Sequence, residues 1–410
     1  MRLGLIGYPL GHSWSKMIHD FFLQEDYQMF ELNEEELDAF LKSKEFDGLN
    51  VTTPYKQKVM AYLDEIDEAA KEIGAVNCIV NENGILKGYN TDYLGLLWML
   101  RRHEVQLDGR KVAILGTGGA SKAAGYAVKA LNGQPVFVSR AKKGESIISY
   151  EELYKTEAQF GCLINTTPVG LYPRMEETPV DLKRLPHIPQ IVDIIANPLR
   201  TRLLFEAKLL NRRTLGGLEM LVAQAFEADR IFTKKQMDES RIEACLNEIY
   251  SQRRNLVLIG MPSAGKSTLA KELEKLSDRE LIEMDDVIVE DIQMSIAEYF
   301  LLEGEEAFRN RESFEAYELR NSERKIISTG GGVIKREENM RNLAYNSLIV
   351  WIDRPLEYLF ASSDRPLSKD MEAIRKLYEE RKGLYEAYSD IQLKNDSTLE
   401  ACIRQLKEYV

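Results

Sequence analysis

Two segments of this chain read strand, glycine loop, helix: KVAILGTGGASKAAGYAVKAL at Lys111–Leu131 and NLVLIGMPSAGKSTLAKEL at Asn255–Leu273. Each puts glycines where the backbone must turn sharply. Each then opens a helix whose first N–H groups and positive dipole end face the turn, an arrangement suited to phosphate. A strand that feeds a helix this way belongs to a parallel α/β sheet with its ligand beyond the strand ends. Two such loops imply two nucleotide-binding α/β units, and 410 residues leave room for two or three domains.

The rest of the chain fits that frame. RLGLIG and DGLNVTTP read as strands, and WSKMIHDFFLQ and QKVMAYLDEI as helices, so the first hundred residues suggest parallel βαβ units. Leu94–Arg102 reads as a helix leading to a second α/β lobe, which runs from KVAILG to about Pro198. Gly216–Phe232 reads as a helix returning to the first lobe. A charged helical segment ending in QRRN follows, and the main boundary is expected at about 252. The expected layout is 1–252, with one lobe of about 1–100 and 216–245 and a nucleotide lobe of about 101–215, and then 253–410.

Composition narrows the partners. Hydrophobic residues at 44% and charged residues at 29% are those of a globular protein. A net charge of −12 argues against a general nucleic-acid binder, which needs a basic face. Cys78, Cys162, Cys245 and Cys402 lie far apart without CxxC spacing, as expected of reduced core residues. The four histidines do not cluster. No stretch is long and apolar enough to span a membrane, and MRLGLIGYPLGHSW shows no cleavable signal pattern. A cytoplasmic protein acting on small molecules is expected, with a homodimer left open.

The first loop, Gly116, Gly118, Gly119 and Ala120, is by itself open between dinucleotide binding and an ordinary strand-to-helix turn. The next strand decides. PVFVSR ends at Ser139 and Arg140, with Lys142 two residues on. NAD calls for a carboxylate here, whereas the 2′-phosphate of NADP calls for cations, so NADP(H) is expected. Three polar clusters also end strands: His12–Ser15, Asn50–Lys56 and Asn90–Asp92. Ser13 alone reads as a helix cap, Lys56 as a surface lysine, and Asn90–Asp92 as a turn. Three together beside a cofactor loop suggest a pocket for a polyhydroxylated substrate.

GYPLGHSWS, NVTTPYK, GAVN, GYNTD, GTGGAS, NTTPVG and GLEMLVAQA follow one another in the order found in shikimate dehydrogenases, which residues 1 to about 240 therefore resemble. The resemblance implies reversible NADP-dependent reduction of 3-dehydroshikimate to shikimate. Carried over by position, it implies Lys56 and Asp92 as the catalytic pair. Ser13 and Ser15 would hold the substrate carboxylate, and Asn50, Thr52, Asn77, Asp92 and Gln224 would read ring hydroxyls. One position departs: Ala196 stands where the family often has tyrosine, which puts substrate affinity in question.

The second loop fits GxxxxGK[ST] at every fixed position, between an apolar strand and a helix. Gly260, Ser263, Ala264, Gly265 and Thr268 supply the phosphate cradle, Lys266 reaches the β- and γ-phosphates of ATP, and Ser267 takes Mg²⁺. The loop alone names no reaction. EMDDVIVEDI, EGEEAFRNRE, STGGGVI, DRPLS and ERKGLYEAYSD resemble shikimate kinase, in order. The resemblance implies that Asp285 orients the substrate hydroxyl and accepts its proton. It also implies that Arg309 and Arg381 clamp the carboxylate, that Gly330, Gly331 and Gly332 approach the ring, and that Arg365 comes down from a lid onto the phosphates. Alone, Arg309 is a solvated helix charge and Asp285 a turn residue. Glu283 departs from the family's first aspartate, and the lid at 360–373 is short and lacks a second arginine. Gluconate-type kinases share loop and size but not the glycine triplet with two arginines.

The fold expected is α/β throughout: a two-lobed dehydrogenase-like unit with a Rossmann lobe for NADP, then a P-loop NTPase-type parallel sheet. Both reactions in one chain would take 3-dehydroshikimate to shikimate and on to shikimate 3-phosphate. Two other readings stand beside this. Ala196 turns the first half toward quinate or another analogue, or one half is a non-catalytic binding module.

Overall fold

The structure, a computed structural model, describes residues 1–11, 14–23, 25–141, 144, 147–359 and 370–409. The chain forms two compact units. One comprises Met1–Asn197 with Asn211–Asn247, the other Pro198–Leu210 with Glu248–Val410.

The first unit holds two sheets. In the first sheet β1 (Leu3–Gly7), β2 (Tyr27–Glu31), β3 (Gly48–Val51), β4 (Glu65–Ile66), β5 (Cys78–Glu82) and β6 (Ile85–Tyr89) lie in the order β2-β1-β3-β5-β6-β4. The expectation of purely parallel βαβ units is corrected here. β1 pairs in parallel with β2 and β3, but β3–β5 and β5–β6 are antiparallel. The cause is local. Asn83 and Gly84 both take positive φ, 56° and 90°, and an Asn-Gly pair in that conformation closes a tight hairpin. QKVMAYLDEI also differs from its expected helix: it forms a 3-10 turn, Lys58–Tyr62, and then β4. Asp64 accepts the Leu86 N–H and so draws the segment onto the edge beside β6.

The second sheet follows the expected Rossmann plan. It contains β7 (Lys111–Leu115), β8 (Gln134–Val138), β9 (Ile147–Ile148), β10 (Phe160–Asn165), β11 (Gln190–Asp193) and β12 (Arg213–Leu215). The order β12-β11-β10-β7-β8-β9 is parallel throughout. The order reverses at β7, so the crevice for a dinucleotide opens at its carboxyl end, where Gly116 stands. The helix Leu218–Thr233 returns to the first sheet, with Ala228 and Phe232 buried among Leu3, Leu5 and Tyr27.

In the second unit β13 (Asn255–Ile259), β14 (Glu280–Glu283), β15 (Lys325–Ser328), β16 (Ser347–Asp353) and β17 (Ile391–Lys394) form a parallel sheet ordered β14-β15-β13-β16-β17. β13 is NLVLI, fully buried, as a central strand covered on both faces must be. The order reverses at β13, so the P-loop sits at the switch point. The segment 198–210 packs into this unit: Phe205 joins its core and stacks on Tyr388, while Arg200 and Lys208 both pair with Asp390.

Candidate active sites

A cavity of about 190 Å³ lies in the first unit, lined by Ser15, Asn50, Thr52, Lys56, Asn77, Asp92, Ala120, Ala196 and Gln224 together with His19 and a few apolar residues. Strand ends put these groups there. Asn50 lies in the last two residues of β3 and Thr52 follows the strand, Asn77 precedes β5, and Asp92 opens the helix Asp92–Arg102 after β6. The backbone of Asn77 ties the strand ends together, giving its carbonyl to Val51 N and taking Tyr89 O.

Lys56 Nζ donates to Asp92 Oδ2 at 2.7 Å. Asn77 Nδ2 donates to the other oxygen, Oδ1, at 2.8 Å, and lies 3.3 Å from Gln224 Oε1. Asp92 is thus held on both oxygens and Lys56 is aimed by it, the orientation that a proton donor beside a carbonyl needs. Gly95 explains how Gln224 reaches this cluster: a Cβ there would lie 2.5 Å from Met220 O and 2.8 Å from Gln224 Cβ, so a larger residue would push that helix away. Ala120 joins the cavity to the glycine turn. Gly116 N donates to Val138 O at 2.8 Å, which brings Ser139 and the exposed Arg140 beside the turn. Gly116 at φ 112°, the start of the helix Gly119–Ala130 and a cation at the rim fit a dinucleotide with a 2′-phosphate. Ser13 and Lys142 lie outside the described residues.

In the second unit the phosphate loop closes as its sequence requires. Ser263 and Gly265 take positive φ, 64° and 94°, and Lys266 begins the helix Lys266–Lys275. Lys266 Nζ folds back on the carbonyls of Gly260 and Met261, 3.0 Å from each. Ser267 Oγ donates to Glu283 Oε2 at 3.0 Å, while Glu283 Oε1 is buried without a partner among the described residues. A hydroxyl and an unsatisfied carboxylate oxygen at the phosphate loop fit Mg²⁺, which takes few protein ligands and completes its shell with phosphate and water. The longer Glu283 therefore still reaches Ser267.

Beside the loop, the glycine triplet gathers the other candidate groups. A Cβ on Gly330 would lie 2.7 Å from Asp285 Oδ1 and 3.0 Å from Glu312 Oε1. One on Gly331 would meet Pro262 of the phosphate loop at 2.8 Å, and one on Gly332 the Arg309 guanidinium at 2.3 Å. Arg381 and Tyr385 both donate to Gly331 O. Arg381 is 2% exposed, yet among the described residues its Nε and Nη2 have no acceptor. Two adjacent donors of one guanidinium, buried and unsatisfied, fit the two oxygens of a carboxylate. Arg309 differs, being engaged by Glu312 at 2.8 Å and Glu305 at 3.3 Å. Burial pushes the Glu312 carboxyl up, Arg309 opposes that and neighbouring Asp285 adds to it. Burial likewise pushes the Tyr385 phenol up to about 12, so it remains a donor. Arg365 lies outside the described residues, as does most of the lid.

Sequence reasoning missed Glu312 and Tyr385 here, and His19, Tyr27 and Asp229 in the first unit. Glu312 stands three residues after Arg309, and Tyr385 four after Arg381, on one helix face in each case. That spacing was the available signal. Asp229 left none, because it meets His19 only through the fold.

Fold and sites define a nucleotide-dependent oxidoreductase joined to a P-loop phosphotransferase. Comparison with known proteins makes this specific. Residues 5–79 match the shikimate dehydrogenase substrate-binding domain and residues 262–410 match shikimate kinase. The chain is 40% identical over 256 residues to the NADP(+) shikimate dehydrogenase of Clostridium beijerinckii, covering 57% of this chain and 93% of that protein. Among solved structures it resembles a chorismate mutase/shikimate 5-dehydrogenase fusion protein from Clostridium acetobutylicum, at 35% identity and TM-score 0.57, covering 60% of this chain and 96% of the other. It also resembles the shikimate 5-dehydrogenase of Thermus thermophilus in complex with NADP(H) and shikimate, at 30% identity and TM-score 0.56, covering 60% and 99%. The chain belongs to the shikimate dehydrogenase family and carries a shikimate kinase domain behind it. Two steps of the shikimate pathway therefore share one polypeptide, one using NADP(H), the other ATP with Mg²⁺.

Proposed function

We propose that residues 1–252 reduce 3-dehydroshikimate to shikimate and that residues 253–410 phosphorylate that shikimate, through the groups described above. In the first half NADPH, when bound, supplies the hydride for the ring carbonyl. Lys56 donates the proton to the carbonyl oxygen, and Asp92 aims Lys56 and restores its proton from solvent. Ser13 and Ser15 hold the carboxylate. Asn50, Thr52, Asn77 and Gln224 face the hydroxyls, while Gly116, Gly118, Gly119, Ala120, Ser139, Arg140 and Lys142 take the cofactor. The Lys56–Asp92 contact inside the cavity carries this half of the reading.

In the second half ATP, when bound, supplies the γ-phosphoryl group. Gly260, Ser263, Ala264, Gly265, Lys266, Ser267, Thr268 and Arg365 hold its phosphates, with Mg²⁺ at Ser267. Asp285 takes the proton from the attacking hydroxyl. Lys266 neutralises charge that develops on the phosphates. Arg381 and Arg309 hold the carboxylate over Gly330, Gly331 and Gly332. The unsatisfied Arg381 donors beside Asp285 and the phosphate loop carry this half.

A cytoplasmic location and small-molecule partners without nucleic acid or membrane complete the proposal, together with a homodimer, which sedimentation would test. The net charge supports it, and among the described residues no helix is long and apolar enough to cross a membrane. Substituting Lys56→Ala and Asp285→Ala singly tests the roles: each should abolish one activity and spare the other. If both activities survived both changes, the assignments would be wrong. Comparing kcat/KM for shikimate and quinate tests Ala196, which lines the cavity where a tyrosine was expected.

A further inference from the structure

A buried histidine–aspartate pair stands behind the dehydrogenase cavity, and nothing in the reaction just described uses it. His19 Nδ1 lies 2.7 Å from Asp229 Oδ1, with the two side chains 1% and 0% exposed. The second oxygen, Asp229 Oδ2, is buried without a partner among the described residues. Burial holds the Asp229 carboxyl above the usual range, although His19 and Arg241 pull it down. An apolar pair would fill this space at less cost than a half-satisfied carboxylate. Such arrangements cluster where function requires them.

The pair leads to the cavity. His19 lines the wall and its ring stacks on Tyr27, with centroids 4.1 Å apart and planes 14° apart. Tyr27 is fully buried, and burial, with Asp229 adding to it, keeps its phenol protonated. A buried O–H must donate, and this one donates to Asn50 Oδ1 at 2.7 Å. That bond fixes which way the Asn50 amide points. Asn50 lines the same cavity, and its Nδ2 is buried with no acceptor among the described residues. The chain Asp229–His19–Tyr27–Asn50 therefore ends in one unsatisfied donor at the cavity wall.

We infer that Asp229, His19 and Tyr27 are positioning residues for the dehydrogenase: they orient the Asn50 amide so that its Nδ2 donates to a hydroxyl of the substrate ring. The inference rests on the dehydrogenase reading above. Asp229 fixes the imidazole, the imidazole fixes the phenol by stacking, and the phenol fixes the amide. None of the three touches the reacting atoms, so their effect falls on substrate binding and leaves the chemical step alone.

The test uses the full-length chain with shikimate and NADP⁺. Tyr27→Phe keeps the ring stack and removes the O–H, so shikimate KM should rise roughly tenfold, with NADP⁺ KM unchanged and kcat within about twofold. In an Asn50→Ala background the same change should have no further effect on shikimate KM, because the amide it orients is gone. Asp229→Asn, close in shape, should raise shikimate KM by roughly threefold and serves as the second variant if Tyr27→Phe does not fold. The inference is overturned if Tyr27→Phe leaves shikimate KM unchanged, if it raises both KM values alike, or if its effect adds in full to that of Asn50→Ala. A wild-type chain that does not reduce NADP⁺ with shikimate would overturn the dehydrogenase reading itself.

Discussion

The two glycine loops share one strand-to-helix geometry but place their cations differently. The loop after β7 contains no lysine; the cation proposed for it, Arg140, stands exposed just past the end of the neighbouring strand. The loop after β13 carries Lys266 at the helix start, 8% exposed and folded onto the loop's own carbonyls. A cofactor phosphate that only has to be held and told apart needs a charge at the rim. A phosphoryl group that departs needs a charge where water is excluded, because an interaction is stronger in a lower dielectric. The substrate clusters repeat the contrast. Asp92 is satisfied on both oxygens by the protein, whereas two Arg381 donors have no acceptor among the described residues.

Lys266→Ala should break this contrast most severely, lowering kinase turnover by about three to four orders of magnitude while NADP⁺ reduction by shikimate stays at its wild-type rate. ADP release and NADPH absorbance, measured on the same preparation, check both halves. Lys56→Ala should give the mirror result, a loss of about two to three orders in the dehydrogenase reaction with phosphorylation intact.

The second unit has its own buried charge cluster, whose effect is on stability. Burial pushes the Asp390 carboxyl up, but Arg200, Lys208 and the Ile349 N–H together outweigh that and hold it below the usual range. A depressed carboxyl stabilises the fold above the unfolded pKa of ~3.9 and loses that contribution as pH falls through the folded value. Asp390→Asn should therefore cost the second unit about 3 kcal/mol at neutral pH. Urea titrations of wild type and variant should show the difference shrinking as pH falls below about 4.

A smaller effect is expected at Arg140. Arg140→Ala should raise the KM for NADP⁺ roughly tenfold and leave that for NAD⁺ almost unchanged, since a charge-assisted contact to the 2′-phosphate is lost and nothing else. Equal losses for both cofactors would remove Arg140 from the 2′-phosphate site and blunt the contrast between the loops.

Much of this was legible in the sequence, because glycine loops, strand-end polar clusters and apolar strands are local signals. The Rossmann character of the second sheet was read from one loop and the strand after it. The first sheet was harder. Its antiparallel hairpin was written in Asn83-Gly84, a two-residue signal overshadowed by the surrounding strand–helix alternation. QKVMAYLDEI has helical spacing, but it forms only a 3-10 turn before Asp64 bonds to the Leu86 N–H and its end becomes an edge strand. Glu312 and Tyr385 could have been found from their spacing to Arg309 and Arg381. Asp229 could not, since its partner lies 210 residues away. Nor could the packing of Phe205 and Lys208 into the second unit, because a helix between two Rossmann strands reads as part of that lobe until the core is seen.

The most direct test supplies the full-length chain with 3-dehydroshikimate, NADPH and ATP–Mg²⁺ and follows NADPH consumed and ADP formed together. The account predicts that the two approach a one-to-one ratio with shikimate 3-phosphate as product, that Lys266→Ala stops at shikimate, and that Lys56→Ala forms ADP only when shikimate is added. NADPH consumed without ADP in the wild-type chain, or ADP formed by the Lys56→Ala chain from 3-dehydroshikimate, would contradict it.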